Sequence, residues 1–394
     1  MLHNYDIVVF SHLRWDFVYQ RPQHLLSRLA LKSQVFFIEE PIYDPEVEPF
    51  LECINPALNV LVFRLHSPVA TPGFHDDHLP LLIPMVQEML HEEGVKEYVV
   101  WLYTPMAVPL AQAFSPLAVI YDSMDELSGF LGAPAELLEH EQALFGWADL
   151  VFTGGPSIYK FKRDRHPCVY CFSSSVDAAH FRQALTGIPE AADQAALAHP
   201  RLGFFGVIDE RIDLPLIDAL AQVHPEWQIV IVGPVVKIDP ASLPRHANIL
   251  YTGQRNYAQL PTYLTGWDVC LLPFARNDAT RFISPTKTLE YMAAERPIVS
   301  TPITDVAEPY GDIVYLGDTP AAFIAACERA LAASPKERDE RIRAMRRVLS
   351  QTSWDTTAQA MEQLIEQAVT ANSAQAMEQL IEQAVTANSA QALA

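Results

Sequence analysis

The sequence predicts two α/β domains in tandem, each a parallel sheet wound with crossover helices, facing each other across a cleft and followed by a C-terminal crossover helix. Three observations carry this. The chain has 394 residues, more than one typical core organises. Strand-length apolar runs alternate with helical periodicity in two successive series. Between the series lies a polar, alanine-rich stretch, Gln183 to Pro200, with the composition of a linker.

In the first series, Tyr5–Ser11, Val35–Glu39, Asn59–Leu65, Tyr98–Thr104, Val119–Asp122 and Leu150–Thr153 read as strands, and Pro22–Leu31 as the first helix. The second series gives strands at Leu202–Val207, Gln228–Val232, Asn248–Tyr251, Val269–Pro273, Ile298–Ser300 and Ile313–Leu316. Its helices are Leu214–Val223, Tyr257–Leu264, one opening at Ser284, and Ala321–Ala332. The domains are accordingly 1–185, a linker 186–201, and 202–350. Residues 351–373 form the crossover helix that packs back on the first domain near Trp354, and 374–394 are a duplicated tail. Ala358–Ser373 recurs unchanged as Ala374–Ser389. Sixteen residues is about 4.4 turns, so the second copy cannot extend the apolar stripe of the first on a straight helix. The first copy is expected to dock, and the second to be a weakly packed helix with room for a break at Thr370–Ser373.

Half the residues are apolar, which argues for a packed chain, and the net charge of −21 disfavours general binding to nucleic acid or an anionic bilayer. Five scattered cysteines do not form a disulfide framework. Cys168-Val169-Tyr170-Cys171 lies in a strand-like run and is expected to be half-buried rather than a metal or redox site; His75-Asp76-Asp77-His78 reads as a solvated loop. No metal and no cofactor are expected. The opening residues carry no charged leader before a hydrophobic run, so the expected location is the cytoplasm, with peripheral contact at the inner face of the membrane as an extension.

The most informative segment is Ser284 to Thr301. Ser284 suits an N-cap, Pro285 the first helical position, and Lys287 the first turn, where free amides and the dipole favour an anion; Glu290 follows one turn later. This fits a nucleoside diphosphate, with phosphates at Ser284, Pro285, Thr286 and Lys287 and ribose hydroxyls at Glu290. It also fits an ordinary capped helix.

This segment resembles the nucleotide-sugar signature of GT-B glycosyltransferases, closest to the retaining family four group of bacterial cell-wall and exopolysaccharide synthesis. Trp15 to Leu25, Tyr121 to Glu126, Gly203 to Arg211, Val232-Gly233-Pro234, Tyr251-Thr252-Gly253 and Trp267-Asp268-Val269 agree with it in order. The resemblance implies a nucleotide-sugar donor, a uridine diphosphate sugar in the first instance, and a glycan or lipid-linked acceptor. Lys287 and Arg211 then take the diphosphate, Gly206 and Val207 allow close backbone approach, and Gly253, Gln254 and Arg255 bracket the base. Many relatives carry a second glutamate where this chain has Phe282, which leaves the sugar contact to Arg276, Asn277 or Asp278 and the stereochemistry open.

Charge on a departing diphosphate is stabilised by fixed cations in a sheltered site, so a metal is not obligatory. Retention uses the departing phosphate as proton acceptor; inversion requires a base from the first domain. Asp122 at a strand end is the first candidate and Asp16 the second, each also suited to holding hydroxyls or a turn. Arg14, Trp15 and Arg21 fall on the acceptor side. His24, Arg28 and Lys32 share one face of the first helix, either as a patch for an anionic acceptor or headgroup or as its solvated side. A nucleotide-sugar 2-epimerase and a non-catalytic glycan-binding protein are the alternatives.

Overall fold

The computed structural model describes residues 5–392, with side chains through 378. The expectations for the first four residues and for the side chains of most of the second tail copy lie outside the described residues.

The first domain is an eight-stranded sheet. Its strands are β1 (Asp6–Ser11), β2 (Val35–Tyr43), β3 (Phe50–Ala57), β4 (Val60–Ser67), β5 (Tyr98–Leu102), β6 (Val119–Ser123), β7 (Leu150–Thr153) and β8 (Val169–Cys171). The order is β3-β4-β2-β1-β5-β6-β7-β8, parallel throughout except for the antiparallel edge pair β3–β4. Its helices are α1 (Arg21–Leu29), α2 (Leu79–Glu92), α3 (Val108–Ala111), α4 (Leu137–Trp147) and α5 (Pro156–Lys162), while α6 (Ala178–Arg182) already packs on the second domain, with Phe181 in that core beside Phe205. The central strands are buried on both faces, which is why they read as unbroken apolar runs: Val8, Val9, Phe10, Val99, Val100 and Trp101 are all at most 1% exposed.

The second domain is a six-stranded, wholly parallel sheet. It comprises β9 (Arg201–Phe205), β10 (Gln228–Val232), β11 (Ile249–Gly253), β12 (Val269–Leu272), β13 (Ile298–Ser300) and β14 (Tyr315–Leu316). The order β11-β10-β9-β12-β13-β14 reverses direction at β9, so the crevice beyond its C-terminal end is the natural ligand position. Helices α7 (Leu214–Val223), α8 (Leu260–Thr265), α9 (Lys287–Ala293), α10 (Thr304–Tyr310), α11 (Pro320–Ala332) and α12 (Pro335–Leu349) cover it.

The last helix, α13 (Trp354–Ala392), returns to the first domain. Trp354, Ala358, Met361 and Ile365 enter the core beside Leu25, Leu29 and Trp101, and Trp354 stacks on His24 at 4.8 Å. This corrects both readings of the basic face of α1. His24 is buried, Arg28 pairs with Asp355 at 2.6 Å, and Lys32 pairs with Glu362 at 2.6 Å. That face is the seat of the crossover helix, neither a solvated side nor an anion patch. The polar link Thr370–Ser373 does not break the helix; Asn372 instead donates to the Leu117 carbonyl and to Asp149, both at 3.0 Å. In the second copy Met377 is 64% exposed, whereas its counterpart Met361 is fully buried. Asp76 and Asp77 are exposed as the solvated-loop reading expects, while His78 is buried; Cys168 is half-buried as expected, and Cys171 is exposed.

Candidate functional site

A cavity of about 450 Å³ lies between the domains at the C-terminal ends of β1, β6, β9 and β10. The first domain contributes the loop Trp15 to Arg21, Pro56, Met124, Asp125 and Ser174 to its lining. From the second come Gly206, Val207, Arg211, Gly233, the segment Gln254 to Tyr257, and Ser284, Pro285, Thr286, Lys287 and Glu290.

The floor on the second-domain side is a close crossing of two strand ends. Gly206 (φ +143°) and Gly233 (φ +148°) occupy backbone conformations that favour glycine. A Cβ on Gly233 would collide with the Gly206 carbonyl, and a Cβ on Gly206 would collide with the Lys287 side chain. Bare backbone and a lysine therefore converge where a ligand would rest. The Lys287 ammonium is held below its ordinary range by burial, and Arg211 pushes in the same direction while Glu290 opposes it. Burial pushes the Glu290 carboxyl up to about 7, against the pull of Lys287. Arg211 is fixed by a bidentate pair with the buried Asp209, at 2.9 and 2.6 Å, and lies over Phe130 of the first domain at 5.4 Å.

The start of α9 differs from expectation. Ser284 and Pro285 lie in the loop before it, Thr286 is the N-cap without a side-chain cap bond, and Lys287 is the first helical residue. The proline therefore shapes the approach to the helix, not its first turn. Phe282 does not line the cleft but stacks on Phe161 of α5 at 4.8 Å. Arg276, Asn277 and Asp278 are absent from the lining; Asn277 donates to the Glu210 carbonyl at 2.8 Å.

On the first-domain side, the loop after β1 hangs on Glu39, which is fully buried at the end of the regular part of β2. Glu39 accepts from the Trp15 amide at 2.7 Å, from Arg14 at 3.2 Å and from Arg64 at 2.6 Å. Arg14 is thereby committed to the β2 end and absent from the lining, whereas Trp15 lines the cleft. Asp16 sits at the rim, 60% exposed and paired with Arg64 at 2.9 Å. Asp122 requires a correction: it forms a buried pair with Arg21, which itself belongs to the cleft lining. Arg21 Nε and Nη2 donate to Asp122 at 2.9 to 3.1 Å, and Nη1 donates to the Phe172 carbonyl at 2.7 Å. Asp122 is fully buried, with its carboxylate taken by Arg21, and it is absent from the cleft lining. Asp125, three residues on, lines the cleft, its carboxyl raised by burial while Arg211, Arg21 and Lys287 pull it down.

The loops meet across the cleft. Gln254 donates to the Phe17 carbonyl, and Tyr19 stacks on Tyr257 at 4.6 Å. The Tyr257 hydroxyl is buried without a hydrogen-bond partner and faces the same cavity as Glu290. Arg255 lines the cleft but gives its guanidinium to Asp193 and Tyr263, and Gly253 lies outside the lining, accepting from the Gly233 amide at 2.9 Å. The sequence reading missed Asp125, Asp209 and Tyr257. Asp125 stood inside the Tyr121–Glu126 turn and Asp209 inside the Gly203–Arg211 segment; nothing local marks Tyr257.

The architecture has close counterparts. Sucrose-phosphate synthase from Thermosynechococcus elongatus superposes with a TM-score of 0.69 at 16% identity, over 93% of this chain and all of that one. An α,α-trehalose-phosphate synthase (UDP-forming) from Burkholderia xenovorans, in complex with glucose-6-phosphate, gives 0.68 at 12% identity, over 92% and 100%. The fold is GT-B. At these identities the likeness concerns the fold alone. Residues 199–333 match the family described as "Glycosyl transferases group 1", which places the glycine crossing and the Lys287–Glu290 helix within the matched region. A curated relative from Bacillus subtilis (strain 168), "Putative teichuronic acid biosynthesis glycosyltransferase TuaH", is 31% identical over 157 residues, 38% of this chain and 39% of that protein. The alignment thus spans about two fifths of that relative.

Proposed function

We propose that this GT-B chain is a glycosyltransferase that moves a sugar from a nucleotide donor, a uridine diphosphate sugar in the first instance, to a glycan or lipid-linked acceptor of the cell envelope. One observation carries the reading: Lys287, Arg211 and Glu290 converge with the bare Gly206–Gly233 backbone in one cleft, and Asp125 of the other domain faces them. The family match over residues 199–333 and the cell-wall relative support it.

In this reading the diphosphate lies over Gly206 and Val207 against Lys287 and Arg211. Asp209 orients Arg211 so that its remaining N–H groups serve the phosphate. Glu290 accepts from the ribose hydroxyls. Negative charge that develops on the leaving diphosphate meets cations already in place, so no metal is required. Asp125 lies within electrostatic reach of Lys287 and Arg211, and in this reading it is on the leaving-group side of the sugar. That supports retention: the departing phosphate oxygen accepts the proton of the acceptor hydroxyl on the same face, and Asp125 holds that hydroxyl. The proposed location is the cytoplasm or the inner membrane face, in keeping with five free cysteines.

The test is incubation with a panel of uridine diphosphate sugars, with and without glycan and lipid-linked acceptors, reading nucleotide release and the anomeric configuration of the product. Retained configuration supports the reading and inverted configuration overturns its stereochemistry. An epimerised donor pool would identify a nucleotide-sugar 2-epimerase, and binding without turnover a glycan-binding protein.

A further inference from the structure

The loop that carries Ser284, Pro285 and Thr286 into the cleft is held from outside the cleft, by the other domain. Four contacts lie along α5 and the residue before it. Gly155, just before the helix, packs so closely that a Cβ there would lie 2.6 Å from Ser284 Cβ and would overlap the Asp305 carboxylate. The Ser157 amide donates to Asp305 Oδ1 at 3.1 Å, so a carboxylate of the second domain satisfies a free amide at the start of a first-domain helix. Lys160 pairs with Glu308 at 2.9 Å. Phe161 stacks on Phe282 at 4.8 Å with ring planes 27° apart. Ser157, Lys160 and Phe161 are spaced i, i+3, i+4, so one face of α5 is given to this contact. None of Phe161, Phe282 or Asp305 lines the cleft.

We propose that α5 is a brace that positions the donor loop, with Phe161 and Phe282 as positioning residues that couple the relative placement of the two domains to the geometry of Ser284–Lys287. Phe282 is two residues from Ser284, and Gly155 touches Ser284 itself, so a shift of α5 moves the backbone that faces the ligand. The exposed Lys160–Glu308 pair contributes little by itself. The stacked rings and the Asp305 cap set the alignment. A loop released from the brace has to be ordered when the nucleotide binds, and affinity falls by that cost.

The choice of uridine diphosphate as probe rests on the functional reading above; the brace does not. Phe161 is 51% exposed and belongs to the domain opposite the donor loop, so Phe161→Ala should fold normally. In calorimetry with uridine diphosphate, Phe161→Ala should weaken binding about two- to tenfold, the worth of an aromatic pair. Phe161→Tyr should bind as wild type does. Phe282→Ala should show a similar loss, and the double variant should be no weaker than either single one. Hydrogen exchange should quicken at residues 282–288 in Phe161→Ala and stay unchanged in the sheets. Unchanged affinity in Phe161→Ala, or losses that add in the double variant, would overturn the brace. If the wild-type chain binds no nucleotide, the functional reading fails and the exchange measurement alone decides the brace: unaltered exchange at 282–288 overturns it.

Discussion

Glu290 gives the sharpest consequence of the site's geometry. Its carboxyl is 7% exposed, and burial raises it to about 7 even with Lys287 nearby. Ribose hydroxyls donate to the ionised form, so binding must first favour ionisation. The free protein then titrates near 7 and the complex lower, which makes affinity constant well above pH 7 and lets it fall as pH drops through 7. One hydrogen bond to a charged group is worth about 1.5–3 kcal/mol, or about one to two pKa units. The loss should therefore approach about tenfold per pH unit between about pH 7 and about pH 5.5 and then level off. Glu290→Gln should weaken binding about ten- to a hundredfold at about pH 8 and remove the slope, because the amide does not titrate. The assay is calorimetry with uridine diphosphate glucose, whose esterified diphosphate has no ionisation of its own in this window. An equal slope in Glu290→Gln would mean that another group titrates, and unchanged affinity would remove Glu290 from the site.

Asp122→Ala leaves Arg21 buried without its carboxylate, and chemical denaturation should show a loss of about 3–5 kcal/mol. Ending the chain after Ser373 keeps the Asn372 contacts and should change stability by no more than about 0.5 kcal/mol, while truncation before Trp354 removes three fully buried side chains and should cost at least about 5 kcal/mol. Donor turnover should survive EDTA, since Lys287 and Arg211 supply the positive charge; loss on chelation with recovery on adding magnesium or manganese would contradict the mechanism.

Most strands were legible because buried parallel strands are apolar on both faces. β3 was not: Phe50-Leu51-Glu52-Cys53-Ile54-Asn55-Pro56-Ala57 is an exposed antiparallel edge, alternating in character and carrying a proline. The donor half of the site was legible because Gly206, Lys287 and Glu290 carry their meaning in local backbone and spacing. The first-domain half was not, because its roles are settled by partners far away in sequence. Asp122 looks like a free strand-end carboxylate until Arg21, 101 residues earlier, is seen to occupy it. His24, Arg28 and Lys32 look like a basic face until Trp354, Asp355 and Glu362 cover it. Phe282 looked like a lost sugar contact, and its ring faces Phe161 instead.

The central claim is that Lys287 holds a diphosphate in the interdomain cleft, and the most direct measurement compares three ligands on two proteins. Uridine diphosphate, uridine monophosphate and uridine are titrated calorimetrically into the wild-type chain and into Lys287→Ala. The account predicts a single site that prefers the diphosphate, a loss of about 1.5–3 kcal/mol for the diphosphate in Lys287→Ala, and little change for uridine. Equal losses for all three ligands, or no difference between the two proteins, would contradict it.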